Sequence, residues 1–346
     1  MSGPSKPHKK IELILDKFFG FVVPLLFHLQ SIEVIDAHIP ERFRALFGDT
    51  RFLIDGFPFG VSDSLIYFLH QILFSCYKNK TIGMTLIGVS PDSLVQFRSP
   101  LFGGSSSETS HLFVAAQIAD RVRAIADDLI SDETMEEIQK QLKICENYKD
   151  MTLALLRKAA VELGMEIQSG TKQLPLKQLL PQVQAFHLKT KVSPLCVPLF
   201  MGDGAYSRIQ MRLARLGMSC LIPQALPTDG SVLSKEATLA SSALSMERGL
   251  VERVIKMIKP KEISNISIEY PERGEKRMDI YIALHNLKIL DKTGRLDEIP
   301  TDLAAVGDSY WNPLTDLNLP IRTPLERTPE EVLQKVSESF SILSRA

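Results

Sequence analysis

The sequence lacks the short signatures that most directly announce a protein's chemistry. Its four cysteines (Cys76, Cys145, Cys196 and Cys220) include no Cys-x-x-Cys pair, which argues against a zinc finger. None of the seven histidines (His8, His28, His38, His70, His111, His187 and His285) stands in HxxH or HxxxH spacing to another. Neither GxGxxG nor GxxxxGK[ST] occurs, so the common nucleotide-binding fingerprints are missing. The most apolar early stretch, Phe18 to Leu29, carries Pro24 and His28 and is too short and interrupted to span a bilayer. Asp16 and Lys17 break into it and no cleavage-like end follows, so no signal peptide is expected. There is no internal repeat. A strong charge of either sign is also lacking. The net charge of −1 is far from that of a compact nucleic-acid-binding module, so any DNA contact would need a local basic surface or a separate partner. The small basic start, Lys6-Pro7-His8-Lys9-Lys10, reads either as a solvated tail or as a weak nuclear signal.

What is present is an ordinary globular balance. With 45% hydrophobic and 23% charged residues over 346 positions, the chain can bury the core of one large domain or two smaller ones. Cys76 follows a phenylalanine and Cys196 sits in an apolar run, as suits buried thiols in a reducing compartment.

Residues 11–48 read as short helices, one opening at Pro40 and stopping at Gly48. Arg51-Phe52-Leu53-Ile54 is apolar without alternation and reads as a strand buried on both faces that ends on Asp55-Gly56. Thr81 to Val89 and Leu94 to Phe97 are two more strands, joined by the turn Ser90-Pro91-Asp92-Ser93. Gly103-Gly104-Ser105-Ser106-Ser107 opens a loop. Ile118, Val122, Ile125 and Leu129 then recur at helical spacing, and Ser131-Asp132 starts a further helix. Residues 151–163 form another, closed by Gly164. The segment 165–192 is polar with scattered Leu and Pro, returning toward the core.

Leu195 to Met201 is a strand running out onto Gly202-Asp203, with Pro198 awkward inside it. A helix near Arg208–Leu216 and a short strand at Cys220-Leu221-Ile222 follow. Residues 234–259 are helical, with Val251, Val254, Ile255 and Ile258 facing the core and Pro260 ending the run. Beyond about residue 290, Pro300, Pro313, Pro320, Pro324 and Pro329 punctuate a wrapping tail and a final amphipathic helix.

Three strands, helices, two strands and a helix is the order of a ribonuclease-H-like α/β fold. The first three strands would be antiparallel, and the fourth would return beside the first, parallel to it, through a helical crossover. The expected divisions are an N-terminal helical segment (1–48), a split catalytic core (49–112 and 191–290), a helical insertion (113–190) and a C-terminal tail (291–346).

In that order, two strands running out onto Asp55 and Asp203 would set both carboxylates at one sheet edge. Phosphodiester cleavage can use two Mg²⁺ ions that clamp the attacking and leaving oxygens, and Mg²⁺ prefers hard oxygen ligands. Glu252, at the edge of the 234–259 stripe, is the best third carboxylate. Arg248, Lys256 and Lys259 fall at i−4, i+4 and i+7 from it, as candidate phosphate-binding side chains. Ordinary alternatives stand beside each reading. Asp-Gly is a common turn dipeptide, and Glu252–Lys256 is a commonplace exposed i,i+4 pair.

Several motifs in order go further. Ile39-Pro40-Glu41-Arg42-Phe43 followed by Thr50-Arg51-Phe52-Leu53-Ile54-Asp55-Gly56 resembles the approach to the first catalytic Asp in the DDE superfamily endonuclease domain of PIF/Harbinger-like transposases. Tyr77-Lys78-Asn79-Lys80-Thr81, Ile87-Gly88-Val89-Ser90-Pro91 and Ser99-Pro100-Leu101-Phe102-Gly103-Gly104-Ser105 resemble its next motifs. Gly202-Asp203-Gly204-Ala205-Tyr206 and Leu221-Ile222-Pro223 are similar to the segments around its second Asp. Val251-Glu252-Arg253-Val254-Ile255-Lys256 resembles its Val-Glu-Arg helix. The likeness covers about residues 32–290.

The resemblance implies Asp55, Asp203 and Glu252 as catalytic ligands of Mg²⁺ or Mn²⁺. It also implies Arg248, Arg253, Lys256 and Lys259 as DNA-phosphate contacts, Arg253 lying off the face of the others. Ser107 and Glu108, in place of the family's Ser-Asp, would orient the ligands. The implied partners are DNA, a separate DNA-reading protein and a second copy of the chain, with no membrane. The implied location is the nucleus if the source is eukaryotic and the cytoplasm otherwise.

The chain departs from the pattern in several places. Gly56-Phe57-Pro58 stands where a Thr is usual, the Arg of an Asp-Arg-Gly variant is missing, and the first interval is long. These departures keep open a domesticated, catalytically impaired relative that binds DNA or protein. An unrelated α/β enzyme acting on small molecules is the third possibility.

Overall fold

The computed structural model describes residues 17–60, 74–75, 80–100, 102–103, 122–123, 126, 129–165, 175–224, 233–259 and 271–306. The loop residues Gly104 to Glu108, the Tyr77-Lys78-Asn79 motif, Cys76, the helix start at Ile118, the basic N-terminus and the proposed final helix lie outside them.

The N-terminal segment is helical: α1 spans 17–26, α2 Ile32–His38 and α3 Glu41–Phe47. Ser31 caps α2 by accepting from the Val34 amide. Pro40 precedes α3 as its cap, where a missing N–H costs nothing. Val23, Leu26, Phe27, Ile35 and Phe43 are buried in the main core.

That core is built on a mixed sheet. Its strands are β1 (Phe52–Gly60), β2 (Phe74–Ser75), β3 (Lys80–Val89), β4 (Val95–Arg98), β5 (Phe102–Gly103), β6 (Val197–Met201) and β7 (Met218–Leu221). They run in the order β2-β3-β1-β6-β7, with β4 and β5 also on β3. β1 pairs antiparallel with β3 and parallel with β6, and β6 pairs parallel with β7. β2, β5 and β4 cover successive stretches of β3, at Lys80–Thr81, Gly83–Met84 and Ile87–Val89.

Two strands differ from the sequence expectation. β1 does not end on Asp55 but continues to Gly60, because β3 is long enough to pair with it from Leu53↔Val89 through to Gly60↔Ile82. β6 leaves it at Leu53↔Met201. Among the described residues, β1 therefore has a strand partner on one side alone from Asp55 onward, and an edge of that kind tolerates Pro58. Pro198 is accommodated where the β6–β7 register shifts, between Val197 and Phe200. Its carbonyl accepts from the Thr50 hydroxyl at 3.0 Å.

Between β5 and β6 the chain forms α4 (Asp132–Asn147), α5 (Leu153–Glu162) and α6 (Leu176–His187). Ser131 and Thr152 cap the first two. These helices bury their own cluster of Cys145, Tyr148, Leu156, Ala160, Leu179 and Val183. Ile138 and Leu142 join it to the sheet through Val192, Cys196 and Ala214. The polar segment 165–192 contains α6, which opens behind Pro175 and tolerates Pro181 within it.

After β6 comes a 3₁₀ turn, Gly204–Ile209, then α7 (Gln210–Arg215) and β7. α8 (Lys235–Ile258) is capped by Ser234 and buries Leu244, Val251, Val254 and Ile258 in the main core. α9 (Pro271–Thr293) adds Met278, Ile282 and Ala283 to it, and a short α10 (Leu303–Val306) follows. No helix among the described residues is long and apolar enough to cross a membrane.

Candidate functional site

The parallel register of β1 and β6 is what brings the two aspartates near one another. Phe52 pairs with Phe200 and Leu53 with Met201. Two residues further along each chain stand Asp55 and Asp203, level with each other just past the last pair. Asp55 accepts the Gly56 amide at 2.8 Å and is half-buried. Asp203 caps the 3₁₀ turn, its Oδ1 accepting the Ala205 amide at 2.9 Å. Gly202 before it is needed for close approach, since a Cβ there would sit 2.5 Å from the Tyr206 ring. The Gly-Asp-Gly-Ala-Tyr run thus has a packing reason as well as a chemical one.

Glu252 reaches the same place from α8, directly beside the buried Val251. One turn earlier on that helix, Arg248 lies between the acids. Its Nη2 donates to Glu252 Oε1 at 2.8 Å, and its Nη1 is 3.8 Å from Asp203 Oδ2. Side-chain exposures of 33% for Asp203, 45% for Glu252 and 21% for Arg248 leave the group open to solvent at the rim.

The electrostatics join all four residues. Burial pushes the Asp55 carboxyl up to about 6, with the Gly56 amide and Arg248 pulling the other way and Asp203 and Glu252 adding to the rise. Burial works against the Arg248 charge, but its bond to Glu252 and the fields of Asp55, Asp203 and Glu252 hold the guanidinium above its ordinary value. The buried Cys220 thiol is also pushed up, by burial and then by Asp203.

Three hard-oxygen acids, one of them a half-buried carboxyl pushed toward its neutral form, are a donor set of the kind Mg²⁺ or Mn²⁺ takes. Their present spacing accommodates a guanidinium instead. Among the described residues, no three His, Cys, Asp or Glu side chains stand close enough to hold a metal ion together.

The basic residues of α8 have different surroundings. Arg253 and Lys256 are exposed. Lys259 is turned onto β1, donating to the Pro58 carbonyl at 2.6 Å with its ammonium 6.0 Å from the Phe57 ring centre. Ser107 and Glu108 lie outside the described residues.

A second charged cluster escaped the sequence reading. Arg98 at the end of β4 pairs through Nε and Nη2 with Asp279 of α9, and its Nη2 is 3.5 Å from Glu275. Arg98 and Asp279 are each 1% exposed. The one hint in the sequence was an arginine directly after the strand read at Leu94 to Phe97.

Comparison of the chain with protein-family models, with curated proteins and with solved structures returns no match.

Proposed function

We propose that the chain is a DDE-type, metal-dependent DNA endonuclease and strand transferase on a ribonuclease-H-like body, related to PIF/Harbinger-like transposases. One observation carries this reading above the others. Asp55, Asp203 and Glu252, widely separated in sequence, come to one sheet end close enough to act on one another's charge. A chance pair of Asp-Gly turns gives no reason for the third acid to arrive from a helix. The antiparallel pairing of β1, β3 and β4, followed after a helical crossover by the parallel β6 and β7, supports the fold assignment.

In this reading Asp55 and Asp203 supply ligands from the strand ends and Glu252 from the helix packed across them. Divalent ions bound there would polarise the scissile phosphate and lower the pKa of the attacking hydroxyl. The Gly56 amide and the Ala205 amide each hold one aspartate oxygen in place, leaving the other oxygen of each carboxylate to bind. Arg253 and Lys256, exposed along α8, take DNA phosphates, a contact that weakens with salt. The uncharged balance of the whole chain suits a division of labour in which a separate protein reads the DNA sequence. The test is nicking of element-end DNA with Mn²⁺ by wild type and Asp203→Asn. Loss of nicking in the variant is expected, and equal nicking by both removes Asp203 from the mechanism.

A second reading has its own support. Arg248 bridges two of the three acids, as it would in a domesticated relative that keeps the fold and binds DNA or protein without cutting. That protein would bind no Mn²⁺ by calorimetry while still binding DNA.

A further inference from the structure

We infer that Arg248 is a built-in counter-ion that competes with the divalent cation for Asp203 and Glu252, so that the acid cluster is closed by its own helix until the cation displaces the guanidinium. The inference rests on the metal-site reading above and concerns how that site is regulated.

Arg248 Nη2 donates to Glu252 Oε1 at 2.8 Å, and Nη1 lies 3.8 Å from Asp203 Oδ2. A Mg²⁺ ion needs its ligand oxygens at about 2.0–2.1 Å and in octahedral array. The oxygens that hold the guanidinium cannot take that geometry while they hold it. Arginine stays charged across the whole working pH range, so no deprotonation releases it, and only a stronger cation or a competing anion can.

The charge balance is suited to such an exchange. One guanidinium shared between Asp203 and Glu252, with Asp55 close by, leaves the cluster short of positive charge. A divalent ion would supply what Arg248 does not. Arg248 can leave without moving α8, because its side chain is 21% exposed and so borders solvent. A freed guanidinium beside bound metal is well placed to meet a phosphate bidentately. The same contact keeps the metal-free acids from repelling one another, which makes Arg248 a positioning residue and not a catalytic one.

The test is Mn²⁺ titration of the full chain by calorimetry, comparing wild type with Arg248→Met, Arg248→Lys and Lys256→Met. Removing a charge-assisted contact that opposes the ion should tighten Mn²⁺ binding at least about tenfold in Arg248→Met. Arg248→Lys, a point charge that cannot bridge two acids through one plane, should fall between that variant and wild type. Lys256→Met removes a nearby exposed charge and should change the affinity by less than about threefold, given screening of exposed charges.

If Arg248→Met binds Mn²⁺ no tighter than wild type, or Lys256→Met gains as much, displacement is overturned while the metal site stands. If no protein in the set binds Mn²⁺, the metal-site reading falls and this inference with it. Should Arg248→Met fail to fold, the Arg248→Lys comparison decides alone. Affinity equal to wild type would then overturn the inference.

Discussion

Arg98 and Arg248 both stand among acidic side chains, yet their surroundings are opposite. Arg98 is sealed between β4 and α9 with Asp279 and Glu275, and two of its nitrogens bond Asp279. Its Nη1 donates to the Ser99 carbonyl at 3.0 Å, so the fork is saturated by fixed partners. Arg248 is at the open end of the sheet, bonded to Glu252 at 2.8 Å and only loosely to Asp203 at 3.8 Å. One acid near it, Asp55, acts on it through its field and is itself pushed toward the neutral form by burial. A buried charge cluster with every partner in place is locked, because any departure leaves an uncompensated ion in a poor solvent. A rim cluster with more acids than cations and access to water can exchange its cation. The first arrangement ties two elements together, and the second leaves its charges open to solvent.

The comparison breaks most visibly if Arg98 can be unpaired cheaply. Asp279→Asn should cost about 3–5 kcal/mol of stability, because it leaves a buried guanidinium short of its main partner. The double variant Arg98→Met with Asp279→Leu should cost much less than either single change, since it removes both charges at once. Urea denaturation of the three proteins measures this. A single-variant loss below about 1 kcal/mol would show the cluster to be as exchangeable as the one at the rim.

On the open side the largest effect is catalytic. On the proposed metal-site reading, Asp55→Asn, Asp203→Asn and Glu252→Gln should each lower Mn²⁺-dependent nicking at least about a hundredfold, since each would remove a ligand worth several kcal/mol of charge stabilisation. The same changes should leave the unfolding free energy from urea denaturation within about 1 kcal/mol of wild type or raise it. Acids that matter for activity and not for folding are the opposite of Asp279, and a large loss of stability in all three would erase the contrast.

Much of the open site was legible because its elements carry regular apolar patterns. Phe52-Leu53-Ile54 and Leu199-Phe200-Met201 are uninterrupted runs, the first followed directly by Asp55 and the second by Gly202-Asp203. On α8, Val251, Val254 and Ile258 mark the buried face and put Glu252 at its margin. What could not be read was the length of β1, because pairing to Gly60 is decided by β3 and not by residues 55–60 themselves. α6 was obscured by Pro175 and Pro181, although Leu179 and Val183 stand one turn apart on its buried face.

α9 was missed for a different reason. Its buried face carries Glu275, Asp279, His285 and Asn286 among Met278, Ile282 and Leu290, so hydrophobic periodicity is diluted by polar residues whose partners are far along the chain. Asn286 meets the backbone of Leu26 and Val95, and His285 meets the Ser93 carbonyl. The locked cluster belongs to that class: a buried ion pair is visible only when both partners are, and Arg98 and Asp279 are far apart in sequence.

The geometry of the open site depends on one glycine more than on its charges. Gly202→Ala places a methyl group against the Tyr206 ring, and the ring or the turn must move. A loss of about 1–3 kcal/mol is expected from such overpacking. Because the displaced turn is the one capped by Asp203, Mn²⁺ affinity should fall along with stability. Stability loss with unchanged Mn²⁺ affinity would show that Asp203 keeps its position independently of the turn.

The smallest effect reads the open cluster through pH. Asp55 has its folded pKa raised from 3.8 to about 6. The folded protein therefore binds more protons than the unfolded chain between those values. The associated stability is fully present below 3.8 and is lost as pH rises through 6. The full shift corresponds to about 3 kcal/mol, and partial access to water reduces the expected loss to about 1–2 kcal/mol. In metal-free protein, Asp55→Asn should abolish this part of the pH dependence and be the more stable protein at pH 7.5. Divalent cation should reverse the order, since only the carboxylate can bind it. Urea denaturation at pH 4 and pH 7.5, with chelator and then with Mn²⁺, measures all four conditions. If the two proteins show the same slope in chelator, Asp55 is as well solvated as any surface acid, and the open cluster has no strained anion with which to draw in a cation.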